Sequence, residues 1–407
     1  MRVPIHWVVY SRKSSTVLLL AAIPIAMLIP RCETALSQSS TGTVAQTPIF
    51  TAIDLNPSGF GRSFAFGISG GQMVGFGYGP TTDDKSHALL WRGSGAGLVD
   101  LNPRGLYSQG YNICGEQQVG YGSGPATGGR NHALLWRGSA VSVVDLHPSG
   151  FEASKASGVS PRQQVGSGIP QGGPPGNDNM PTPTHALLWR GSSASVVGLH
   201  PHGFLSSTAQ GTDGEEQVGY GSPEGVFFPM SSTPVDHALL WHGGAASVVD
   251  LNPTGFLFSR ASGVVGGEEV GYGVGQATGG VEDHALLWHG SPASGVDLHP
   301  RGFSRSEAHS TNGEEQVGDG MPEGDYFHST HALLWRGSAA SVVDLHAFLP
   351  PGFVSSSATS IGLNGDIVGW AHRSIGSIGD PTSSHAFLWR RHVQGPGTSR
   401  ERKSMGC

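Results

Sequence analysis

Apolar and polar residues alternate along this chain in short runs, and one run returns seven times. From His132 the sequence reads "HALLWRGSAVSVVDLHPSGF". In an extended strand His132, Leu134 and Trp136 point to one face, and Ala133 and Leu135 to the other. Both faces are mostly apolar, which predicts a strand covered on both sides. A short "RGSAV" turn leads to a second run, "SVVDL", and "QVGYG" (Gln118–Gly122) supplies a third upstream. A fourth is exemplified by "SSATSIG" (Ser356–Gly362), joined to the next run through "LNG" (Leu363–Gly365). "TDG" (Thr212–Gly214) and "TNG" (Thr311–Gly313) stand at equivalent places, and such pairs suit tight hairpins because Asn-Gly and Asp-Gly tolerate positive φ. No stretch keeps a helical period long enough to build a helix.

The repetition is regular. The His-to-Trp run begins at His87, His132, His185, His237, His284, His331 and His385, and ends at Trp91, Trp136, Trp189, Trp241, Trp288, Trp335 and Trp389. The Val-Gly run starts at Met73, Gln118, Gln164, Gln217, Glu269, Gln316 and Ile367. The Asp-Leu pair recurs at Asp54, Asp100, Asp145, Asp250, Asp297 and Asp344, with Gly198 replacing the Asp once. Seven units of four strands, doubly covered and spaced by roughly 50 residues, predict an all-β, seven-bladed β-propeller of antiparallel four-stranded blades. The first run after the N-terminal region, "IFTAIDL" (Ile49–Leu55), has no third strand before it, and the last "HAFLW" has no fourth strand after it. The N-terminal strand is therefore expected to complete the last blade and close the ring.

Composition refines this picture. Gly reaches 64 of 407 residues and charged residues only 13%, yet Val, Leu and Trp recur at fixed places, which favours packed strands over disorder. The net charge of -7 is spread without blocks, and no basic stripe offers a phosphate-neutralising surface, so nucleic acid is not an expected partner. The first residues differ: Arg2, Arg12 and Lys13 precede an apolar core from Thr16 to Pro30, interrupted by Pro24. That core is short for a bilayer span and reads as a secretory signal, with cleavage expected near Ala45. The expected domains are residues 1–45 as signal peptide and linker, 46–391 as propeller and 392–407 as a flexible tail. The protein is expected to be secreted, periplasmic or at the cell surface, without a membrane span once the signal is removed. Cys32, Cys114 and Cys407 form no CxxC-like pair, so metal and redox motifs are not indicated.

The repeat resembles that of the HAF-repeat proteins, extracellular repeat proteins whose unit looks like "A..IN..G.VVG......HAFLW..G...DLG". "HAFLW" itself stands at His385–Trp389, "ALLW" variants fill the other six units, and "SIGLNGDIVGW" (Ser360–Trp370) is the nearest copy of the family's Asn-Gly hairpin. The resemblance covers about residues 49–391. It departs after the Asp-Leu pair, where "NP.GF" or "HP.GF" replaces the family's Gly-Thr. It implies export and a propeller-like fold, and it supplies no catalytic residues.

The seven motif histidines are the obvious chemical candidates. Seven equivalent positions on seven blades cannot converge on one ion, and no other ligand-rich motif recurs beside them, so neither metal nor cofactor is expected. Each His is expected to hydrogen-bond within or between blades, each Trp to anchor packing between blades, and each Asp to fix the turn that follows it. Gly120 and Gly122 are expected to allow close approach between tapered blades. The second-to-third-strand loops diverge most, and they share a face with the "(N/H)P.GF" connections. Ligand-binding candidates on that face are Phe227, Phe228, Tyr326, Phe327 and His328, with His147, His200 and His299 from the connections. Acidic pairs beginning at Glu215, Glu268 and Glu314 fall on the opposite face and are expected to be solvated. The expected function is a monomeric, non-enzymatic binding module for a glycan, a cell-wall component or a protein. One alternative is a hydrolase- or lyase-type propeller with its site near the axis, which would need blade-specific acids or histidines at the inner end, where the sequence offers few. The other is a purely structural surface repeat.

Overall fold

The computed structural model describes residues 49–93, 97–174, 176, 182–228, 233–280, 282–325, 329–373 and 384–392. The expected signal peptide, the tail beyond residue 392, and Tyr326, Phe327 and His328 lie outside the described residues. Seven four-stranded antiparallel sheets form a β-propeller; six pair their strands in chain order, and in the seventh the N-terminal strand takes the outer place. In blade 5 these are Phe256–Val265, Glu268–Gly275, His284–Trp288 and the two-residue Val296–Asp297. First strands of neighbouring blades touch one another around the ring and therefore line the axis, while fourth strands lie outermost.

The ring closes as the sequence predicts. Ile49–Asp54 pairs antiparallel with Ser384–His392 as the outer strand of blade 7. The first strands of blades 1 and 7 (Arg62–Ser69 and Ser355–Ile361) meet, and Thr359 Oγ1 donates to the Ala65 carbonyl at 2.8 Å.

Each seam between blades is a separate hydrophobic core. Ala133 and Leu135 of blade 2 pack with Leu187 and Trp189 of blade 3, while Leu134 and Trp136 face back against Ala88 and Leu90 of blade 1. The two-faced strand of the sequence is thus covered by both neighbours. All seven motif tryptophans are buried. Trp91 and Trp389 donate their indole N–H to the carbonyls of Leu55 and Leu345, at 3.0 Å each. The indole nitrogens of Trp136, Trp189, Trp241, Trp288 and Trp335 are buried without a hydrogen-bond partner among the described residues.

The glycine expectation needs correcting in one respect. A Cβ at Gly120 would lie 1.9 Å from the Gln109 carbonyl oxygen, on the paired strand of the same blade. Gly75, Gly166, Gly219, Gly271, Gly318 and Gly369 meet the equivalent oxygen at 1.8 to 2.0 Å. The cause is a β-bulge in every first strand, between Gly110 and Asn112 in blade 2 and between Ala261 and Gly263 in blade 5. The bulge turns one carbonyl into the facing strand, and only a residue without a side chain fits opposite it.

Candidate functional site: the central channel

The recurrent polar residues build the seams. In all seven, the backbone N–H of the motif Ala donates to a serine hydroxyl on the first strand of the next blade, at 2.9 to 3.1 Å; Ala238 to Ser259 is one instance and Ala386 to Ser63 closes the ring. The same hydroxyl is bonded to the Asn or His of the "(N/H)P.GF" connection. Ser63, Ser108 and Ser259 donate to Asn56, Asn102 and Asn252 at 2.6 Å. Ser154, Ser207, Ser306 and Ser356 meet Nδ1 of His147, His200, His299 and His346 at 2.8 to 2.9 Å. The amide of Asn252 then donates to the Phe256 carbonyl at 3.1 Å, and His299 Nε2 reaches the Phe303 carbonyl at 3.0 Å. Asn and neutral His interchange here because each offers one acceptor and one donor at the same reach.

His147, His200 and His299 are therefore poor ligand contacts, which corrects the expectation for them. Each stacks on the motif histidine of its blade, with ring centroids 3.8 to 3.9 Å apart, and both ring nitrogens of His299 are engaged by the chain itself. Burial, reinforced by the adjacent histidine, holds the pKa of His147, His299 and His346 below the usual range and pushes that of His200 down to about 4. The motif histidines behave as hydrogen-bonding joinery. His87, His132, His237, His284, His331 and His385 place Nδ1 2.6 to 2.8 Å from the Asp of the outer strand. That Asp also accepts the backbone N–H two residues on, as Asp250 does from Asn252 at 2.9 Å. His185 faces Gly198 and has no such carboxylate.

The channel is where the repeat breaks. Along each first strand, Ser and then Ala, or Gly110 in blade 2, enter the seam: Ser259 and Ala261 in blade 5, Ser306 and Ala308 in blade 6. The residues between them and at the bulge differ from blade to blade. Phe66, Tyr111, Ser157, Gln210, Ser262, His309 and Thr359 are the bulge residues, and all seven line a cavity on the axis. A cavity of about 850 Å³ opens toward the variable loops, rimmed by Thr182, Pro183, Thr233 and Pro234. A second of about 800 Å³ opens toward the hairpins, and the two share Phe66, Asn112, Ser262, His309 and Thr359.

The walls differ in chemistry. On blades 1 and 2, Phe66 and Tyr111 line the channel at 5.7 Å from each other, backed by Phe76 and Tyr121. On blades 4 and 5, Arg260 Nε and Nη2 both reach Asp236 Oδ2, the former at 2.9 Å, while Asp236 Oδ1 accepts from Ser222 at 2.6 Å. The guanidinium lies 4.3 Å from the Tyr220 ring centroid. Above it Phe258 stacks with Phe228 at 6.3 Å, which ties that sequence candidate to the channel's charged wall. Phe227 is half exposed and bridges to Pro234 at the rim.

Blade 6 inverts this charge pattern. Asp283 and Glu307 occupy the places of Asp236 and Arg260, so two carboxylates stand where the previous seam has an ion pair. Asp319 replaces the aromatic residue found there in five blades and pairs directly opposite Glu307. Burial raises the pKa of Glu307, and Asp319 and Asp283 push it the same way. His309 Nε2 meets Asp319 Oδ2 at 2.9 Å, and Ser357 donates to the same oxygen at 2.6 Å. Burial opposes charge on His309, but the bonded Asp319 carboxylate outweighs it and raises the imidazole pKa. An imidazole oriented by a carboxylate and facing a cavity can move protons or bind hydroxyl-rich ligands. Sequence pattern does not reveal these breaks, because a single Glu, His or Asp within an otherwise regular strand carries no motif. Among the described residues, no cluster of His, Cys, Asp and Glu is arranged to hold a metal ion.

Fold and channel together define a seven-bladed propeller with a blade-specific axial cavity. The chain is similar in fold to the β-propeller domain of the Trilobed protease from Pyrococcus furiosus, with a TM-score of 0.53 at 9% identity, covering 82% of this chain and 100% of that one. It is also similar to puromycin hydrolase in complex with PGG, with a TM-score of 0.52 at 11% identity over 76% of this chain, and spans 50% of that protein's length. At these identities the likeness is one of fold. The expectation of a non-enzymatic protein is corrected: both of these neighbours belong to enzymes, a protease and a hydrolase, and the inner ends of the blades carry acids and a histidine, while the likeness itself establishes the propeller fold and no activity. No protein-family model and no curated protein matches the sequence.

Proposed function

We propose that this protein is an exported propeller of the HAF-repeat type that binds a glycan segment in its axial channel, entered from the variable-loop face. The observation that carries the reading is the division of the 850 Å³ cavity into an aromatic wall, with Phe66 and Tyr111, and a hydrogen-bonding wall, with Arg260–Asp236 and His309–Asp319. Sugars present apolar C–H faces and a polar hydroxyl edge, so one ring can satisfy both walls. Calorimetry with soluble cell-wall oligosaccharides tests it. Tyr111→Ala and Phe66→Ala should each weaken binding about tenfold or more, equivalent to ~1.4 kcal/mol, with the melting temperature little changed. Absence of binding to every oligosaccharide and polymer tried would sink the reading and favour a protein ligand or a purely structural repeat.

A second reading is favoured by the His309–Asp319 pair alone. An imidazole oriented by Asp319, with Glu307 beside it held protonated more readily by burial, suits hydrolytic chemistry on the bound ligand. Release of shortened oligosaccharides, abolished by His309→Ala while the aromatic wall still gives measurable though weaker binding, is the expected result if this pair reacts with the ligand.

A further inference from the structure

The second strands cross-link the blades through a ladder of glutamines. Gln164 Nε2 donates to Gln117 Oε1 of the preceding blade at 3.0 Å, Gln217 to Gln163 at 3.1 Å, and Gln316 to Glu268 at 2.9 Å. The Oε1 atoms of Gln164, Gln217 and Gln316 accept the N–H of Gly191, Gly243 and Gly337 at 2.7 to 2.8 Å. Each rung thus needs one donor toward the preceding blade.

Blade 5 has Glu269 in this place, and the residue facing it on the preceding blade is Glu216. The sequence pattern predicts solvated acidic pairs at these turns; Glu269 is instead fully buried. One Glu269 oxygen accepts the Gly290 N–H at 2.8 Å, as the ladder requires. Its other oxygen is buried without a partner among the described residues, and so is Oε2 of Glu216. Two orphaned acceptors stand where the three glutamine rungs have a donor and an acceptor.

We propose that Glu269 is held as the neutral acid and donates its proton to Glu216, so that blades 4 and 5 are latched by a shared-proton carboxyl pair. The proton supplies the donor that the amide supplies elsewhere, and it removes the cost of two facing carboxylate oxygens buried without a donor. The charged surroundings are mixed. Glu268 lies on the same strand, His289 follows the third strand of blade 5, and His242 Nε2 lies 3.4 Å from the other Glu216 oxygen. Burial raises the Glu269 pKa first; the Gly290 N–H and His289 oppose this, while Glu216 and Glu268 add to it. By contrast, Glu315 at the seam of blades 6 and 7 is met by Arg391 at 2.7 Å and Arg336 at 2.8 Å, a pairing of fixed charge. The blade 4–5 latch depends instead on a titrating proton, and Glu216 lines the hairpin-side cavity.

The sign follows from the raised native pKa. The latch is fully present below the ordinary glutamate range and is lost as pH rises through the native pKa of Glu269. Urea unfolding of the full chain between pH 4 and pH 8, wild type against Glu269→Gln, tests this. The expected result is equal midpoints near pH 4 and a higher midpoint for E269Q at pH 8. Glu216→Gln should act likewise, since its amide can donate to an ionised Glu269. Infrared difference spectroscopy at neutral pH should show a protonated-carboxyl band in wild type that E269Q lacks. Identical pH slopes for wild type and E269Q, or no such band, would overturn the proposal. Stabilisation of wild type but not E269Q by calcium or magnesium would also overturn it, by placing a cation between the two carboxylates.

Discussion

Two sides of one strand show how this protein divides its labour. In blade 5, Ser259 and Ala261 enter the seam, where Ser259 joins the Ala238 N–H to Asn252, and both positions hold a small residue in every blade. Arg260 and Ser262, their immediate neighbours, face the channel side, and their counterparts range from Phe and Tyr to Glu and His. Residues that repeat hold the ring together, and residues that vary set what the channel can recognise. Repetition here marks a mechanical constraint met seven times, whereas a binding site needs only one instance of each group.

The comparison can be broken at its rigid end first. Gly271→Ala drives a Cβ to 1.9 Å from the Arg260 carbonyl and should cost on the order of 4 kcal/mol or more, seen as loss of the folded fraction in urea or as failure to express. Trp136→Ala should cost ~3–5 kcal/mol by emptying a seam. Its conservative counterpart is sharper: Trp91→Phe loses the bond to Leu55 while Trp136→Phe loses none, so the first should exceed the second by about 1 kcal/mol.

Adjacent serines test the two sides directly. Ser259→Ala removes a buried double link and should destabilise by roughly 1–3 kcal/mol, whereas Ser262→Ala should stay within about 0.5 kcal/mol. Equal effects would erase the distinction between seam and channel.

A smaller effect lies in pH. His200 has its native pKa pushed down to about 4, so the unfolded chain takes up protons first as pH falls below its ordinary value. Stability from this group is complete above about pH 6.5 and is lost as pH falls toward 4. His200→Asn, which copies the natural Asn56, Asn102 and Asn252, should retain more of its neutral-pH melting temperature at pH 4.5 than wild type does. A parallel pH profile would show that the stacked histidine carries no such penalty.

Much of the architecture is legible in the sequence because it depends on short-range pattern. Period-two alternation, Asn-Gly and Asp-Gly turns and the offset strand "IFTAIDL" suffice to predict seven blades and their closure. The Asp-to-turn bond is legible too, since its donor lies two residues away. The His–Asp pair spans 13 residues and joins third to fourth strand, so in the sequence each member reads as a lone polar residue. His147, His200 and His299 mislead for the complementary reason. A histidine in a surface connection looks available, and only the neighbouring blade shows that its nitrogens are engaged. The burial of Glu269 is hidden because an acidic pair after a turn is ordinarily solvated, and burial of one member depends on the facing blade.

The sequence by itself determined the number of blades, their four strands and the strand that closes the ring, because backbone pairing and two-sided burial leave their period in the chain. The tertiary structure decided the contents of the channel. Bulges and ring closure bring Phe66, Tyr111, Arg260 and His309 around one axis from four different blades, and no local pattern records that proximity. It also decided the protonation logic of the seams, since whether a carboxyl group faces an amide, a guanidinium or another carboxyl group depends on the blade beside it.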